Sequence, residues 1–164
     1  DESMERPIVS GISSIDTEAK LTIRGVPDIP GVAAKILSPV SEAGIDVDVI
    51  VQNISADNTT DFTFTVNEED AEAAEKILLD MSNSFEGGLV EVDRDIAKIS
   101  IVGRGMRAHA GIASKMFQTL ADQEINILMI TTSEIKISVV IKRDYMKDAI
   151  ACLHDAFDLD KELD

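Results

Sequence analysis

The sequence predicts an α+β fold made of two copies of one βαββαβ unit. Three observations predict it: an internal repeat, strand-like alternation around helix-like spacing in each copy, and a glycine turn at the same point of both. Lys20-Leu-Thr-Ile-Arg-Gly25 reads like Lys98-Ile-Ser-Ile-Val-Gly103, and Gly31-Val-Ala-Ala-Lys-Ile36 reads like Gly111-Ile-Ala-Ser-Lys-Met116. The interval from Gly31 to Ile45 equals that from Gly111 to Ile125, so the copies agree in spacing as well as wording.

In the first copy, Leu21 and Ile23 alternate with polar residues as a strand does. Pro30-Gly31 then opens a helix that places Val32, Ala33, Ile36, Leu37 and Val40 on one face, with Pro39 expected to kink it and Gly44 to close it. Val47, Val49 and Val51 alternate next, Asp57-Asn58-Thr59-Thr60 makes a hairpin turn, and Phe62, Phe64 and Val66 form the returning strand. Asn67 caps a second helix carrying Ala71, Ala74, Ile77, Leu78 and Met81, and Gly87-Gly88 leads to a last strand around Leu89-Val-Glu-Val92.

The second copy repeats the strand at Ile99 and Ile101 and the helix at Ile112, Ala113, Met116, Phe117, Leu120 and Ala121. Strands at 127–132 and 136–142 follow, then a helix with Ala149, Ile150, Leu153, Ala156 and Phe157. Its fourth strand is missing, because Asp158-Leu-Asp-Lys-Glu-Leu-Asp164 is too charged and short. One strand is spare: Ile8-Val-Ser-Gly-Ile12 precedes the first copy and belongs to neither unit. The expectation is that it completes the second sheet, so that the first domain (17–94) is inserted into a discontinuous second domain (8–16 plus 95–160), with 1–7 and 161–164 as flexible ends. Each unit is then a ferredoxin-like antiparallel sheet with its helices on one face.

Composition narrows the function classes. The chain has 164 residues, 45% of them hydrophobic, which is ample for two small cores. Its 31 acidic against 15 basic residues give a formal charge of −16, a field that repels phosphate backbones and anionic lipid headgroups. Neither nucleic acid nor membrane is an expected partner. The single Cys152 excludes an intrachain disulfide and sits at helical spacing as a small core residue, and no apolar run is long enough for a signal or a membrane span. A cytoplasmic protein is expected, and the start at Asp1 without an initiator methionine reads as a piece of something longer.

Catalytic constellations are scarce. Only His109 and His154 are present, no His/Cys cluster suits a metal, and there is no phosphate-binding loop or serine triad spacing. Gly103-Arg-Gly-Met-Arg-Ala108 fits a dinucleotide fingerprint, but too few residues follow for a doubly wound sheet. The first copy also spells the same turn differently, as Gly25-Val-Pro-Asp-Ile-Pro-Gly31. A recurring turn with changing wording is a shared backbone geometry. Such a turn can accept a carboxylate at the helix N-terminus while Asp28 holds an ammonium, or Asp28 and Pro30 can simply cap and start the helix.

Tandem units of this kind look like ACT domains, and the wording is similar to the regulatory part of bacterial aspartokinase. The motifs that carry the resemblance are Leu21-Thr-Ile-Arg-Gly-Val-Pro-Asp-Ile-Pro-Gly31, Val51-Gln-Asn-Ile54, Asn58-Thr-Thr-Asp-Phe-Thr-Phe-Thr-Val66, Val102-Gly-Arg-Gly-Met-Arg-Ala-His-Ala-Gly111 and Ile125-Asn-Ile-Leu-Met-Ile-Thr-Thr-Ser-Glu-Ile-Lys-Ile-Ser-Val139. They run in order through nearly the whole chain. The Lys-Phe-Gly-Gly-Thr-Ser-type kinase motif is absent, so the chain resembles a separate regulatory subunit or a C-terminal region and has no catalytic residues of its own.

The resemblance implies a sensor of L-lysine and L-threonine that restrains aspartate phosphorylation, with no cofactor or metal. It implies a homodimer through the ACT domains and association with an aspartokinase catalytic domain or subunit. A threonine-type site would use Asp28, Gly31, Ala33, Ile45 and Gln52, faced by Asn126 and Ile127. Gln52 suits a hydroxyl because it both donates and accepts. Relatives often carry asparagine two residues before Asn126, where this chain has Glu124. A lysine-type site would use Met106, His109, Gly111 and Ile112, with Asp48, Ser133 and Glu134 opposite, the carboxylates suiting ammonium groups. Read from the residues alone, the reading of Glu134 as a solvated strand-end residue is favoured over that of a ligand. The rivals are an ACT pair serving another enzyme or amino acid, an enzyme using the Gly103 turn, and a pure dimerisation module.

Overall fold

The computed structural model describes residues 8–85, 88–105 and 110–159, and these divide into two compact units, one within 17–94 and one formed by 8–16 with those of 95–159. The first strand, β1 (Ile8–Ile15), belongs to the second of them. The 17–94 unit runs β2 (Glu18–Pro27), α1 (Val32–Glu42), β3 (Val47–Ile54), β4 (Thr59–Asn67), a 3-10 turn (Glu68–Asp70), α2 (Ala71–Ser82) and β5 (Leu89–Asp93). Its strands form an antiparallel sheet in the order β3-β4-β2-β5.

Period-two alternation builds this core. Ala19, Leu21 and Ile23 on β2 and Phe62, Phe64 and Val66 on β4 are almost wholly buried, against Val32, Ile36 and Val40 of α1 and Ala71, Ala74 and Leu78 of α2. Burying each Leu, Ile or Phe stabilises by about 1.5–3 kcal/mol, so this layer dominates the unit's energetics. The opposite face carries Thr22, whose hydroxyl is 2.9 Å from that of Thr63, and Arg24, which reaches Asp61 at 3.1 Å and Glu91 at 3.0 Å across three strands.

Gly25 has a structural use. It sits at φ 72 where the pairing of β2 with β4 slips by one residue between Ile23 and Val26, and its N–H donates to the Asp61 carboxylate at 3.0 Å. A glycine accommodates such a bulge without a Cβ clash. Asn67 caps as expected, its side chain accepting from the Glu69 N–H at 2.9 Å, but it caps the 3-10 turn that leads into α2. Pro39 does not end α1: the helix continues to Glu42, and Ala43 N–H still reaches the Pro39 carbonyl at 3.1 Å. Proline so near the end forfeits one intrahelical bond while the buried Ile36 and Val40 hold the turn.

The other unit contains β1, β6 (Ile96–Arg104), α3 (Ala110–Asp122), β7 (Met129–Thr132), β8 (Lys136–Lys142), a 3-10 turn (Arg143–Tyr145) and α4 (Met146–Ala156). Its antiparallel sheet is ordered β1-β6-β8-β7, so Ile8–Ile15 lies beside β6 as an edge strand of the second sheet. Ala97, Ile99, Ile101, Ile137, Val139 and Ile141 meet Met116, Leu120, Ala149 and Leu153 in its core.

The repeat extends to small devices. Ser100 and Ser138 place their hydroxyls 2.6 Å apart across the central strands, where the first unit has Thr22 and Thr63. Lys35 lies 5.0 Å from the Phe85 ring centroid, and Lys115 lies 4.9 Å from that of Phe157, so each unit secures its second helix end with a cation over an aromatic face. Cys152 is half-buried against the second core, with Sγ 3.3 Å from the Ala149 carbonyl, and burial pushes its thiol pKa up, away from reactivity.

Candidate functional site

The turn from β2 into α1 leaves a helix N-terminus open. Gly31 is the N-cap residue at φ 89, no side chain caps the helix, its first turn holds no acidic residue, and a Cβ placed on Gly31 would meet nothing within 4 Å. First-turn N–H groups lack intrahelical partners and attract an anion, although the first of them here, that of Val32, already donates to the Ile29 carbonyl at 3.2 Å. Asp28 does not cap α1. Its side chain is exposed, and its backbone N–H donates to the Asn58 carbonyl at 3.0 Å, which ties the turn to the β3–β4 hairpin tip.

That tie brings Asp28, Gly31 and Ala33 to the end of the unit where β3 finishes with Gln52, Asn53 and Ile54. Gln52 is exposed on the edge strand opposite Phe62. Ala33 is half-buried against the core. Ile45 is not brought to this end: it follows α1 at its far end, about 16 Å along the axis, and is buried in the core at 7% exposure. Asp48 is exposed near the start of β3, at that far end too.

The second unit repeats the arrangement. Gly111 lies in the first turn of α3 with open space around a would-be Cβ, and Ile112 is half-buried against the core. The Gly103 N–H donates to the Ile135 carbonyl at 2.8 Å, tying the end of β6 to the β7–β8 hairpin tip. Ser133 stands in that tip with its hydroxyl committed to the turn, accepting from the Lys136 N–H at 3.1 Å and the Ile135 N–H at 3.4 Å. Glu134 is exposed beside it. Asn126, exposed, and Ile127, half-buried, follow the far end of α3. Met106 and His109 lie outside the described residues.

Both units also expose apolar side chains on an edge strand: Ile50 and Ile54 on β3 are 48% and 70% exposed, and Ile130 on β7 is 45% exposed. Isoleucines on an open sheet edge mark a surface suited to further strand pairing. Sequence reasoning missed these three residues. Their signal was present, since Ile50 and Ile54 fall out of phase with Val47, Val49 and Val51, and Ile130 closes an unbroken apolar run from Ile127. Among the described residues no group of His, Cys, Asp and Glu is arranged to hold a metal ion, and no helix is long and apolar enough to cross a membrane.

Comparison with known proteins gives the fold its relatives. Two family models, each described as ACT domain, match residues 21–82 and 99–157. The chain is 60% identical over 160 residues to an aspartate kinase of Pseudomonas fluorescens and 44% identical over 160 residues to an aspartokinase of Helicobacter pylori. In each case the match takes in 98% of this chain and 39% of the relative, so the chain spans about two fifths of the length of these kinases. The regulatory subunit of aspartate kinase from Thermus thermophilus, solved without ligand, superposes with a TM-score of 0.86 at 37% identity, over 92% of this chain and 99% of that one. A chain from a structure of aspartokinase alpha and beta subunits superposes equally well, with a TM-score of 0.86 at 46% identity and the same coverage of both chains. The chain belongs to the aspartokinase family, as its regulatory part built of two ACT domains.

Proposed function

We propose that this regulatory part senses L-threonine and L-lysine and conveys their binding to an aspartokinase catalytic domain or subunit, restraining phosphorylation of aspartate. The observation that carries the reading is the uncapped, glycine-opened N-terminus of α1, set at the same end of its unit as the exposed Gln52. The α-carboxylate of an amino acid suits the helix N-terminus, its ammonium suits Asp28, and a side-chain hydroxyl suits Gln52.

Two copies of the chain complete the sites in this proposal. Antiparallel pairing of β3 from one copy with β7 from another would set the end of β3, with Gln52, against the start of β7, which follows Asn126 and Ile127. The same register would set Asp48, at the start of β3, against Ser133 and Glu134 at the end of β7. The first juxtaposition offers neutral hydrogen-bonding groups and suits threonine. The second offers two carboxylates and suits lysine. Effectors that bind one dimer arrangement better than another shift their equilibrium, and by no more than that difference in affinity.

Calorimetry with threonine and lysine, separately and together, tests the reading. Saturable binding of at least one is expected, with Gln52→Ala weakening threonine roughly tenfold, as for a lost hydrogen bond. Binding of neither would defeat the effector assignment, and unchanged threonine affinity in Gln52→Ala would defeat that site. An ACT pair for another amino acid would answer to a different member of a ligand screen.

A further inference from the structure

The strands that lead into the first helix of each unit end differently. In the second unit β6 and β8 pair without a slip: Ile101 lies opposite Ile137, Val102 opposite Lys136, and the Gly103 N–H donates to the Ile135 carbonyl at 2.8 Å. In the first unit Ile23 lies opposite Phe62, but Arg24 and Gly25 together oppose Asp61 before pairing resumes at Val26 and Thr60. A bulge leaves one residue unpaired in the ladder. Here the Asp61 carboxylate supplies the missing acceptor, taking the Gly25 N–H at 3.0 Å. Its other oxygen holds the Arg24 guanidinium at 3.1 Å, which Glu91 of β5 grips from the other side at 3.0 Å. The matching position in the second unit is Lys136, whose side chain has donors only, and there no bulge needs filling.

Asp61 also stands between the two walls of the candidate site. On one side, the bulge it fills lies just before the turn that carries Asp28 and Gly31. On the other, Asp61 lies opposite Asn53, next to Gln52, and its neighbour Thr60 donates its hydroxyl to the Asn53 carbonyl at 2.9 Å. The spacing between the α1 N-terminus and Gln52 therefore depends on how β2 leaves the sheet, and one carboxylate fixes that exit.

We propose that Asp61 is a positioning residue for the effector site at the N-terminus of α1. It touches no ligand and acts by filling the β2 bulge, which sets the distance from the helix end to Gln52. This rests on the effector reading above. Opening the bulge lets the turn drift, and a drift of about an ångström is enough to break a hydrogen bond to a bound amino acid. The lysine-type site draws on the second unit's turn and on Asp48, so it does not depend on this bulge.

The test uses the full chain in calorimetry with threonine and with lysine, for the parent protein, Asp61→Ala, Asp61→Asn and Arg24→Gln. Asp61→Ala is expected to weaken threonine about tenfold, the scale of one lost hydrogen bond, and to leave lysine within about twofold. Asp61→Asn keeps an oxygen for the Gly25 N–H and Arg24→Gln keeps the whole carboxylate, so both are expected to hold threonine within about twofold of the parent. A merely structural role would lower the melting temperature of Asp61→Ala and leave the threonine affinity of the folded protein unchanged, which would overturn the proposal. Equal weakening of both amino acids, or a loss in Asp61→Asn as large as in Asp61→Ala, would overturn it too. Amide hydrogen exchange tests the same coupling in the parent, without a variant that has to fold. Binding that requires the closed bulge suppresses its opening, so threonine at about ten times its dissociation constant is expected to slow exchange at Gly25 about tenfold while lysine leaves it unchanged. Exchange at Gly25 that ignores threonine would overturn the proposal and leave the effector reading intact. A parent that binds no threonine would overturn the threonine assignment beneath it.

Discussion

At the scale of single residues, the hairpin tip beside the candidate site is held by one aspartate. The Asp57 carboxylate accepts the Thr59 hydroxyl at 2.6 Å and the Thr59 N–H at 3.2 Å, while Asn58 turns the chain at φ 65. The hydroxyl first, and the N–H second, hold the Asp57 carboxyl below the usual carboxylate range. A depressed carboxyl favours the folded state above the unfolded pKa, near 4, and that contribution is lost as pH falls through the lower, folded value. Thr59→Val removes the hydroxyl and keeps the backbone donor. NMR titration is expected to show the Asp57 pKa rising in Thr59→Val without reaching the value of an unstructured peptide. An unchanged pKa would mean that the hydroxyl contributes nothing to it.

At the scale of elements, paired hydroxyls stitch the central strands of both sheets. Ser100 and Ser138 are 1% and 6% exposed, and either can donate to the other. Ser138→Ala alone leaves the Ser100 hydroxyl buried without its partner, at a cost of about 1–3 kcal/mol. Removing both hydroxyls leaves neither group orphaned, so the double variant is expected to lose less than the sum of the single ones, by about 1 kcal/mol. Denaturant melts of the four proteins check this, and strict additivity would show that the pair does not act as a unit. Such devices also mark what was legible in the sequence. Strands, helices, the glycine turns and the borrowed strand at Ile8-Val-Ser-Gly-Ile12 follow from periodicity and from a repeat that was one element short. Gly25 as a bulge, Glu124 as a left-handed helix stop at φ 57 and the Lys35–Phe85 contact depend on residues distant in sequence or on a conformation that side-chain identity disguises. At the candidate site, Gln52 was implied by the resemblance alone, and Gly31 was legible as the turn that opens α1. The burial of Ile45 was not, because helix length decides at which end of the unit it falls.

At the scale of the whole molecule, charge and edges pull in opposite directions. Each chain carries a formal charge of −16, so two copies repel at long range. Ile50, Ile54 and Ile130, exposed on the β3 and β7 edges, favour association at short range, where apolar burial and strand pairing act. Salt separates the two contributions. The Debye length falls from about 30 Å at 0.01 M to about 8 Å at 0.15 M, which screens the net repulsion and leaves apolar contact untouched. For the dimer proposed above, sedimentation equilibrium is therefore expected to give a dissociation constant that tightens on the order of tenfold across that range. Ile54→Asp is expected to abolish the association at both salt concentrations, because it sets a charge on the β3 edge that pairing would desolvate. A dimer that loosens as salt rises would instead be held by complementary charges, and the apolar edges would then have to be assigned to some other partner.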